Sequence, residues 1–377
     1  MSKTKLSKNW LYLLSLVLFI LIYYLSPRDS TVATPITPPA VTEETTSSLV
    51  PDEVSWYEIY FTSPQIPFDH VTTGGIEDFL IEKINMATTT IDLAVYEFSL
   101  ENVAQALISA QNRGVVVRVV YDNEFADPDP QIKEVQTAGI STIPDKRSAF
   151  MHNKFFIFDH QCLWTGSFNI SQNAAYRNNE NALYFCSAEA AENYTTEFEE
   201  LFSGQFGVTS PSNTPHPSFV VAGHTVENYF APEDQVMDQI ISEVLDAQKF
   251  VHFMAFSFTD DQLGQAMISE IHRGVSVDGI FESRGANTQY SECLPLRQNS
   301  ASITLDGNPR TFHHKVIIID SEVVILGSFN FTAAANQTND ENLLIVHDTA
   351  LATDYEAEFQ RMKLLSVAPA DNTCQSQ

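Results

Sequence analysis

The sequence contains two copies of one unit, and this duplication limits the possible folds more than any other feature. The apolar segment at residues 91–98 aligns with residues 251–258 at an offset of 160 positions. Residues 113–115, Arg-Gly-Val, match residues 273–275 at the same offset, and after one inserted residue the alignment continues at an offset of 161. Repetition over this distance indicates one supersecondary unit that occurs twice and packs in tandem.

Each copy has the same order of predicted elements. In the first copy a helix over residues 75–87 precedes the apolar strand, and a second helix ends at Gly114 before a buried strand over residues 115–121. Residues 155–158 and 316–319 are too short and too apolar for surface helices, so we predict that they form central strands. This strand–helix–strand order predicts an α/β fold in which each sheet is covered on both faces.

The domain boundaries follow from the repeat. We predict a first half at residues 56–205, a second half at residues 226–366 and a C-terminal tail at residues 367–377. Residues 206–225 between the halves include a segment rich in serine and proline at 210–217, whose composition predicts an inter-repeat linker.

The residues that carry chemistry lie in a motif that occurs once in each copy, with the spacing H-x-K-x4-D-x6-G-S-x-N. In the first copy the motif comprises His152, Lys154, Asp159, Gly166, Ser167 and Asn169. In the second copy it comprises His313, Lys315, Asp320, Gly327, Ser328 and Asn330. Six fixed residues at fixed spacing arise by chance about once in 10⁷–10⁸ positions, and here they occur twice at matching places. A Glu-Asn pair follows each motif asparagine by eleven residues, at Glu180 and at Glu341.

These motifs resemble those of the phospholipase D superfamily, whose two-motif members carry the same pattern once in each half. The similarity covers residues 56–366. The resemblance implies an α/β fold of two tandem phospholipase D-like α-β-α repeats, packed about a pseudo-twofold axis around one shared active site.

The resemblance also implies a two-step reaction through a phosphohistidine. His152 is then the nucleophile, and His313 acts as the general acid and afterwards as the general base, although the residues allow the reverse order. Glu180 and Glu341 would each accept a hydrogen bond from the far nitrogen of a histidine and so fix its tautomer. The sequence leaves open which glutamate serves which histidine.

Elementary chemistry gives these residue types a common task. His152 and Lys154 are two positions apart on a predicted strand and therefore point to the same face, as do His313 and Lys315. Two imidazoles and two ammonium groups in one pocket suit a single phosphoryl group and require no metal or other cofactor. The predicted ligands of the phosphate oxygens are Lys154, Lys315, Asn169, Asn330, Ser167 and Ser328.

The remaining motif residues are expected to be structural. Asp159 and Asp320 lie five positions after each lysine, on the opposite strand face, and we predict that they form hydrogen bonds near strand ends. Gly166 and Gly327 are expected to lie at turns. His314 alternates away from His313 and is expected to be peripheral.

Residues 1–28 are predicted to form a membrane signal anchor. Three lysines precede an uncharged apolar run over residues 10–25, and acidic residues follow it. This order of charge places the N-terminus inside and the rest of the chain on the extracytoplasmic side. A signal peptide that is removed from a secreted protein is the alternative. Residues 29–55 are rich in proline and threonine and predict a disordered linker.

The four cysteines lie outside the membrane on this topology, and an even number in an oxidising compartment permits two disulfides. We favour bonds between Cys162 and Cys186 and between Cys293 and Cys374, the second of which would hold the C-terminal tail to a loop. Three connectivities are possible, and four free buried cysteines are the remaining alternative.

The acidity of the chain limits its partners. The net charge is −28, and because four cations but no acid lie within residues 1–28, the rest of the chain carries −32. A protein this negative should repel the phosphate backbone of nucleic acid, so an anionic substrate must bind at a local positive cluster. The charge therefore favours one phosphate held at one point over a long polyanion.

Several phosphodiesters remain candidate substrates. The predicted membrane anchor, the acidity, and an aromatic content of 26 Phe and 13 Tyr favour hydrolysis of a phospholipid. An endonuclease of the same superfamily is the main alternative. A phosphatidyl transferase similar to cardiolipin synthases is a third reading, and a non-catalytic scaffold that binds lipid head groups is the least favoured because both motifs are complete.

Overall fold

The computed structural model describes residues 55–375. The predicted anchor at residues 1–28 and almost all of the predicted linker at residues 29–55 lie outside this range. Within it, none of the helices combines the length and the apolar character that crossing a bilayer requires.

The first copy forms a mixed sheet whose seven strands all lie within the described residues. From edge to edge the strands are β4 (Ser141–Pro144), β3 (Val116–Tyr121), β2 (Thr90–Val95), β5 (Phe155–Phe158), β6 (Cys162–Gly166), β7 (Asn181–Cys186) and β1 (Tyr57–Phe61). Strands β2, β3 and β4 run parallel, and the other neighbours pair antiparallel. Two of the predicted central strands are thus β2 and β5, which lie side by side.

The second copy repeats this order and adds one strand at the edge. Its strands are β12 (Ser302–Leu305), β11 (Ser276–Phe281), β10 (Phe250–Ala255), β13 (Lys315–Ile319), β14 (Val323–Gly327), β15 (Glu341–His347), β9 (His224–Ala231) and β8 (Ser218–Val221). Strand β8 and the first residues of β9 fall within residues 206–225, so the predicted linker is wrong there. The reason is a period-two pattern: Phe219 and Val221 are buried while Ser218 and Val220 are exposed, which suits an edge strand.

The helices cover both faces of each sheet. They are α1 (Ile76–Met86), α2 (Glu101–Asn112), α3 (Pro130–Thr137), α4 (Gln172–Tyr176), α5 (Ala188–Phe202), α6 (Val236–Asp246), α7 (Asp261–Arg273), α8 (Cys293–Gln298), α9 (Ala333–Gln337) and α10 (Thr349–Leu365). Helices α1 and α2 pack on the outer face of the first sheet, and α6 and α7 on the outer face of the second. Helices α5 and α10 share one apolar core with the facing sides of both sheets. The predicted α/β fold of two tandem repeats is confirmed.

Helix α7 shows how the sequence sets the bounds of these elements. The Asp260 side chain accepts hydrogen bonds from the first free backbone N–H groups of the helix, which stabilises its start. Leu263 and Met267 lie on the buried face. Gly274 has a φ of 98°, a conformation that ends the helix and that glycine adopts without steric cost.

Two disulfides join the cysteine pairs that the sequence favours. Cys162 and Cys186 are directly opposite each other on β6 and β7. Cys293 on α8 is bonded to Cys374 in the C-terminal tail, 81 positions away.

Because the bond between Cys293 and Cys374 closes the longer loop, we expect it to contribute more to stability than the bond between Cys162 and Cys186. Replacing Cys293 and Cys374 together by serine should lower the free energy of unfolding by about 2–4 kcal/mol, because the crosslink restricts a long segment of the unfolded chain. The matched control replaces Cys162 and Cys186, which close a loop of 24 positions between strands that are already hydrogen-bonded. Guanidinium unfolding of both variants measures the difference, and equal losses would contradict the prediction.

Candidate active site

The two motifs meet at one centre between the copies. His152 and Lys154 lie just before β5, and His313 and Lys315 lie at the equivalent place before and at the start of β13. All four side chains are buried, with 1–6% of each residue exposed. The N–H of His152 donates to the carbonyl oxygen of Asp340 at 2.9 Å, and the equivalent bond joins His313 to the other copy at the same distance. The backbone of each copy therefore positions the histidine of the other.

The predicted position of these residues on strands is wrong in detail. Strand β5 begins only at Phe155, so His152 and Lys154 precede it in an extended segment. Each lysine Nζ donates to the carbonyl oxygen of the histidine two positions earlier, at 2.7 Å for Lys154 and 2.8 Å for Lys315. This contact holds each ammonium group beside its imidazole.

The two glutamates bind the histidines of the opposite copy. Nδ1 of His152 lies 2.7 Å from Oε2 of Glu341, and Nδ1 of His313 lies 2.8 Å from Oε2 of Glu180. Because a carboxylate accepts, each Nδ1 carries the proton, and each Nε2 is left with a lone pair. A neutral imidazole in this tautomer can act as a nucleophile or a base through Nε2.

The two motif serines support these glutamates. The hydroxyl of Ser167 donates to Oε2 of Glu180 at 2.7 Å, and that of Ser328 donates to Oε2 of Glu341 at 2.6 Å. Both serines are 0% exposed. The predicted binding of phosphate by these hydroxyls is therefore wrong, because they already bond to the carboxylates behind the histidines.

The motif asparagines differ from the serines because they have unused hydrogen-bonding capacity. Among the described residues, the amide oxygens of Asn169 and Asn330 are buried and have no hydrogen-bond partner. A buried polar atom without a partner costs about 1–3 kcal/mol. Its occurrence at both equivalent places marks each amide oxygen as able to accept a hydrogen bond from a ligand.

Burial sets the protonation of the centre. It lowers the pKa of His313 to about 4, and together with the charges of Lys154 and Lys315 it lowers the pKa of His152 well below its usual value. Burial also raises the pKa of Glu341 to about 7. It acts to raise the pKa of Glu180 as well, but the hydrogen bond from His313 and the charge of Lys315 outweigh it and lower that pKa below its usual value. Both imidazoles are therefore neutral at pH 7 before an anion binds.

The two aspartates of the motif are structural. The Asp159 carboxylate accepts hydrogen bonds from the backbone N–H groups of residues 88–90 at 2.7–3.1 Å. Asp320 accepts the equivalent bonds from residues 248–250 at 2.7–2.8 Å. Both carboxylates thus join the start of a central strand to the end of its neighbour, as predicted.

Gly166 and Gly327 lie at strand ends and not at turns, so their predicted place is wrong. They are the last residues of β6 and β14, with φ of 149° and 152°. A Cβ atom at either position would collide with the carbonyl oxygen of Asn181 or Asn342. Glycine therefore allows the close approach that brings each motif serine to its glutamate.

His314 is buried and not peripheral, which corrects a further prediction. It is 0% exposed, and its two ring nitrogens lie 3.0 Å from Nδ2 of Asn181 and 3.2 Å from Oε1 of Glu358. At the equivalent place, Nδ2 of Asn342 donates to Oδ1 of Asn153 at 2.8 Å. The sequence signal was the repeated Glu-Asn pair, whose asparagines form these bonds between the copies.

Sequence reasoning also missed two aromatic residues that contact the histidines. The ring of Tyr96 meets that of His152 edge to face with centroids 4.7 Å apart, and Phe256 meets His313 in the same way at 4.8 Å. The lysine Nζ atoms each lie 4.9 Å from these rings. The aligned segments at 91–98 and 251–258 contain both residues, and this alignment was the available signal.

One cluster within residues 55–375 could supply three metal ligands. Glu227, Glu243 and His347 each place a donor atom within 4.8 Å of the others. Nε2 of His347 lies 3.1 Å from Oε1 of Glu227, so an ordinary ion pair accounts for this contact. The cluster lies at the end of β15 opposite Glu341 and is separate from the histidine centre.

A family model matches both halves of the chain. The model described as "Cardiolipin synthase, PLD-like domain" matches residues 80–202 and again residues 240–363, together more than half of the chain. Each matched segment contains one complete motif and one of the two glutamates.

Two relatives align with about one third of the chain. A protein named Phospholipase D from Rickettsia typhi is 32% identical over 130 residues, which are 34% of this chain and 64% of that protein. A protein named Mitochondrial cardiolipin hydrolase from Xenopus laevis is 31% identical over 129 residues, which are 34% of this chain and 61% of that protein. The chain therefore spans less than two thirds of the length of both relatives.

Two solved structures share the fold over most of the chain. Phosphatidylserine synthase from Haemophilus influenzae has a TM-score of 0.61 at 15% identity, over 77% of this chain and 84% of that one. Polyphosphate kinase from Porphyromonas gingivalis has a TM-score of 0.60 at 13% identity, over 83% and 48%. At these identities the similarity concerns the fold alone.

Because each glutamate binds the histidine of the other copy, we expect it to control the tautomer of that histidine. In Glu341→Gln, His152 should lose its preference for the tautomer with the proton on Nδ1, because an amide can donate where a carboxylate only accepts. His313 should keep its tautomer. Histidine ¹⁵N chemical shifts measure both, and Glu180→Gln is the matched control with the opposite pattern. A response of the histidine in the same copy would contradict the crossed arrangement.

We expect the loss of charge from the two lysines to reduce activity at alkaline pH. Burial lowers the pKa of Lys154 to about 8 and that of Lys315 to about 7, so positive charge is lost as the pH rises through this range. On the acid side, protonation removes the imidazole nucleophile, and because burial lowers the pKa of both histidines this limit lies below about 6.5. A plot of kcat/KM against pH reports the free enzyme and should be bell-shaped, because one histidine must be neutral and the other protonated. Loss of charge from the lysines should steepen its fall above about pH 7. A value that still rises at pH 9 would contradict this assignment.

Proposed function

Because the chain belongs to the phospholipase D-like domain family, we propose that it is a phosphodiesterase that hydrolyses a phospholipid through a phosphohistidine intermediate. The observation that carries the proposal is the pair of imidazoles, each of which has its Nδ1 bound to a glutamate of the other copy. One nitrogen can attack phosphorus while the other transfers a proton, which is what a two-step displacement requires.

In the first step, Nε2 of His152 attacks phosphorus. A P–N bond forms, the P–O bond to one alcohol breaks, and His313 donates a proton to the departing oxygen. His313 must be protonated for this role, and the negative charge of the bound phosphodiester favours its protonated form. The similar surroundings of the two histidines are also compatible with the reverse assignment.

In the second step, water replaces the alcohol. His313, now neutral, takes a proton from the water as its oxygen attacks phosphorus, and the P–N bond to His152 breaks. The products are the free alcohol, a phosphomonoester and the original enzyme. Attack by another alcohol in place of water would give phosphatidyl transfer, which uses the same residues.

Four side chains would stabilise the charge that develops on phosphorus. Lys154 and Lys315 would bind the non-bridging oxygens, and the Nδ2 groups of Asn169 and Asn330 would donate hydrogen bonds to the same oxygens. Removal of one preorganised donor of this kind costs about 10²–10³-fold in rate in other enzymes. Two ammonium groups supply the positive charge for which some phosphoryl-transfer sites use a metal ion, so we propose a mechanism without one.

A lipid substrate is favoured by charge. The chain beyond residue 28 carries a net charge of −32, which opposes binding of a polynucleotide but not of a single phosphodiester. We also propose that residues 1–28 anchor the enzyme at a membrane, with the described residues on the extracytoplasmic side, where phospholipid is the abundant phosphodiester.

Replacement of His152 by alanine should lower turnover by at least about 10³-fold, because the reaction needs two histidines, one to form the covalent intermediate and one to transfer the proton. His272→Ala is the matched control, since His272 lies exposed on α7. The assay offers phosphatidylcholine, phosphatidylglycerol, cardiolipin and single-stranded DNA to the purified protein at several salt concentrations. EDTA should leave the rate unchanged.

Three outcomes count against the proposal. Full activity of His152→Ala would exclude the shared centre as the site of reaction. Strong inhibition by EDTA would indicate a metal-dependent mechanism. Cleavage of DNA without cleavage of any lipid would favour the endonuclease.

A further inference from the structure

The loops beside the two histidines have the same backbone but different side chains. After β3, the N–H groups of Glu124 and Phe125 donate to the Asp122 carboxylate at 2.9 and 3.1 Å. After β11, the N–H groups of Arg284 and Gly285 donate to the Glu282 carboxylate at 2.9 and 3.0 Å. The turn is therefore the same in both copies, while an acid and an aromatic residue in one correspond to a base and a glycine in the other.

A second pair of positions differs in the same way. The carbonyl oxygen of Phe150 accepts from the N–H of Asp340 at 2.9 Å, and that of Thr311 accepts from the N–H of Asn179 at 2.9 Å. Phe150 and Thr311 thus occupy equivalent places, each two positions before a site histidine. Since the second copy folds with glycine and threonine at these two places, the fold does not require the aromatic residues of the first.

In the first copy these residues form a continuous aromatic surface, the aromatic wall, made of Tyr96, Phe125 and Phe150. Tyr96 stacks on Phe125 with centroids 4.3 Å apart, and Phe150 lies 5.4 Å from both. The wall reaches the imidazole of His152, whose centroid is 4.7 Å from Tyr96 and 6.3 Å from Phe150. Phe125 is 39% exposed, so the wall extends from the reacting nitrogen to the solvent.

In the second copy Phe256 takes the place of Tyr96, but a glycine and a threonine take the places of Phe125 and Phe150. The surface beyond Phe256 is therefore polar. Arg284 donates from Nε to Glu282 at 2.6 Å and from Nη2 to the hydroxyl of Thr311 at 2.9 Å. Because His313 follows Thr311 by two positions, these bonds hold the guanidinium near His313. The arginine side chain remains 61% exposed. A guanidinium held in this way can donate to the oxygens of a phosphate, carboxylate or hydroxyl group.

We propose that the site binds its phosphodiester in one orientation, with the apolar glycerolipid part against the aromatic wall and an oxygen-rich polar head group at Arg284. The inference rests on the proposed function. The leaving oxygen lies opposite the attacking nitrogen of His152, on the side of His313 and Arg284. The head group is therefore the alcohol that leaves, and the lipid part stays on phosphorus.

Charge favours a lipid over a nucleobase on the aromatic wall. Aromatic rings can stack on bases as well as pack against acyl chains. However, Glu124 and Asp127 are exposed beside Phe125, where they would repel the next phosphate of a polynucleotide. A glycerolipid has only neutral groups on this side of the scissile phosphate.

The test transfers the residues of the second copy into the first, in the double variant Phe125→Gly, Phe150→Thr. The readout is the ratio of kcat/KM for phosphatidylglycerol to kcat/KM for its deacylated counterpart, glycerophosphoglycerol. We expect this ratio to fall about tenfold or more, because the lost apolar contact is available only to the acylated substrate. Phe79→Ala is the control for loss of an exposed aromatic side chain, since Phe79 stacks on Tyr60 of β1.

Arg284→Glu tests the other side by introducing the residue that the first copy has there. The ratio of kcat/KM for phosphatidylglycerol to that for phosphatidylcholine should fall about tenfold, since a carboxylate repels acceptor oxygens and attracts a quaternary ammonium group. An unchanged ratio would overturn the head-group assignment. Circular dichroism of each variant checks that the fold is retained.

The outcomes separate this inference from the proposed function. If the wild type cleaves phosphatidylglycerol and His152→Ala does not, while the double variant keeps the wild-type ratio, the orientation is overturned and the function stands. If the wild type cleaves only single-stranded DNA, and the double variant cleaves it more slowly, the wall binds bases and the lipid assignment fails. If His152→Ala retains activity, the function itself fails.

Discussion

The hydrogen bonds that run between the copies, from His152 to Glu341 and from His313 to Glu180, are the contacts on which the rest of the centre depends. Neither copy can orient its own histidine, because the carboxylate that binds each Nδ1 belongs to the other. A displacement of one copy against the other would therefore disturb both imidazoles at once. The buried asparagines next to the glutamates, which form further bonds between the copies, oppose such a displacement.

The centre buries several charged groups, and it lacks the negative charge that a bound anion would add. Two ammonium groups face two glutamates, and burial keeps the imidazoles neutral. In the proposed mechanism, an incoming phosphodiester would add the negative charge that stabilises both lysines and one protonated histidine, so substrate binding would itself prepare the general acid. The interior of the centre is nearly symmetric, whereas its entrance is aromatic on one side and polar on the other. Duplication allows this division, because the entrance side chains can differ while the backbone stays the same.

Predictions from the sequence succeeded where spacing alone determines the answer. The repeat and its motifs located both histidines and both lysines, and the aspartates have the structural role that strand parity assigned to them. Predictions failed where the answer depends on a partner distant in sequence. Ser167 bonds to Glu180 rather than facing the substrate, Gly166 lies against the backbone of the neighbouring strand, and His314 is buried between the copies. No local pattern contains these partners.

The sequence by itself determined that two equivalent units each carry a histidine, a lysine and a glutamate, because duplication at constant spacing is visible without coordinates. Only the tertiary structure decided that the glutamates are exchanged between the units. The exchange follows from the packing of two sheets around one shared core, in which the segment before each central strand pairs with the backbone of the other copy. The tertiary structure also decided that the loops after β3 and β11 have the same backbone but different side chains. Their equivalence is visible in their hydrogen bonds and not in their residues.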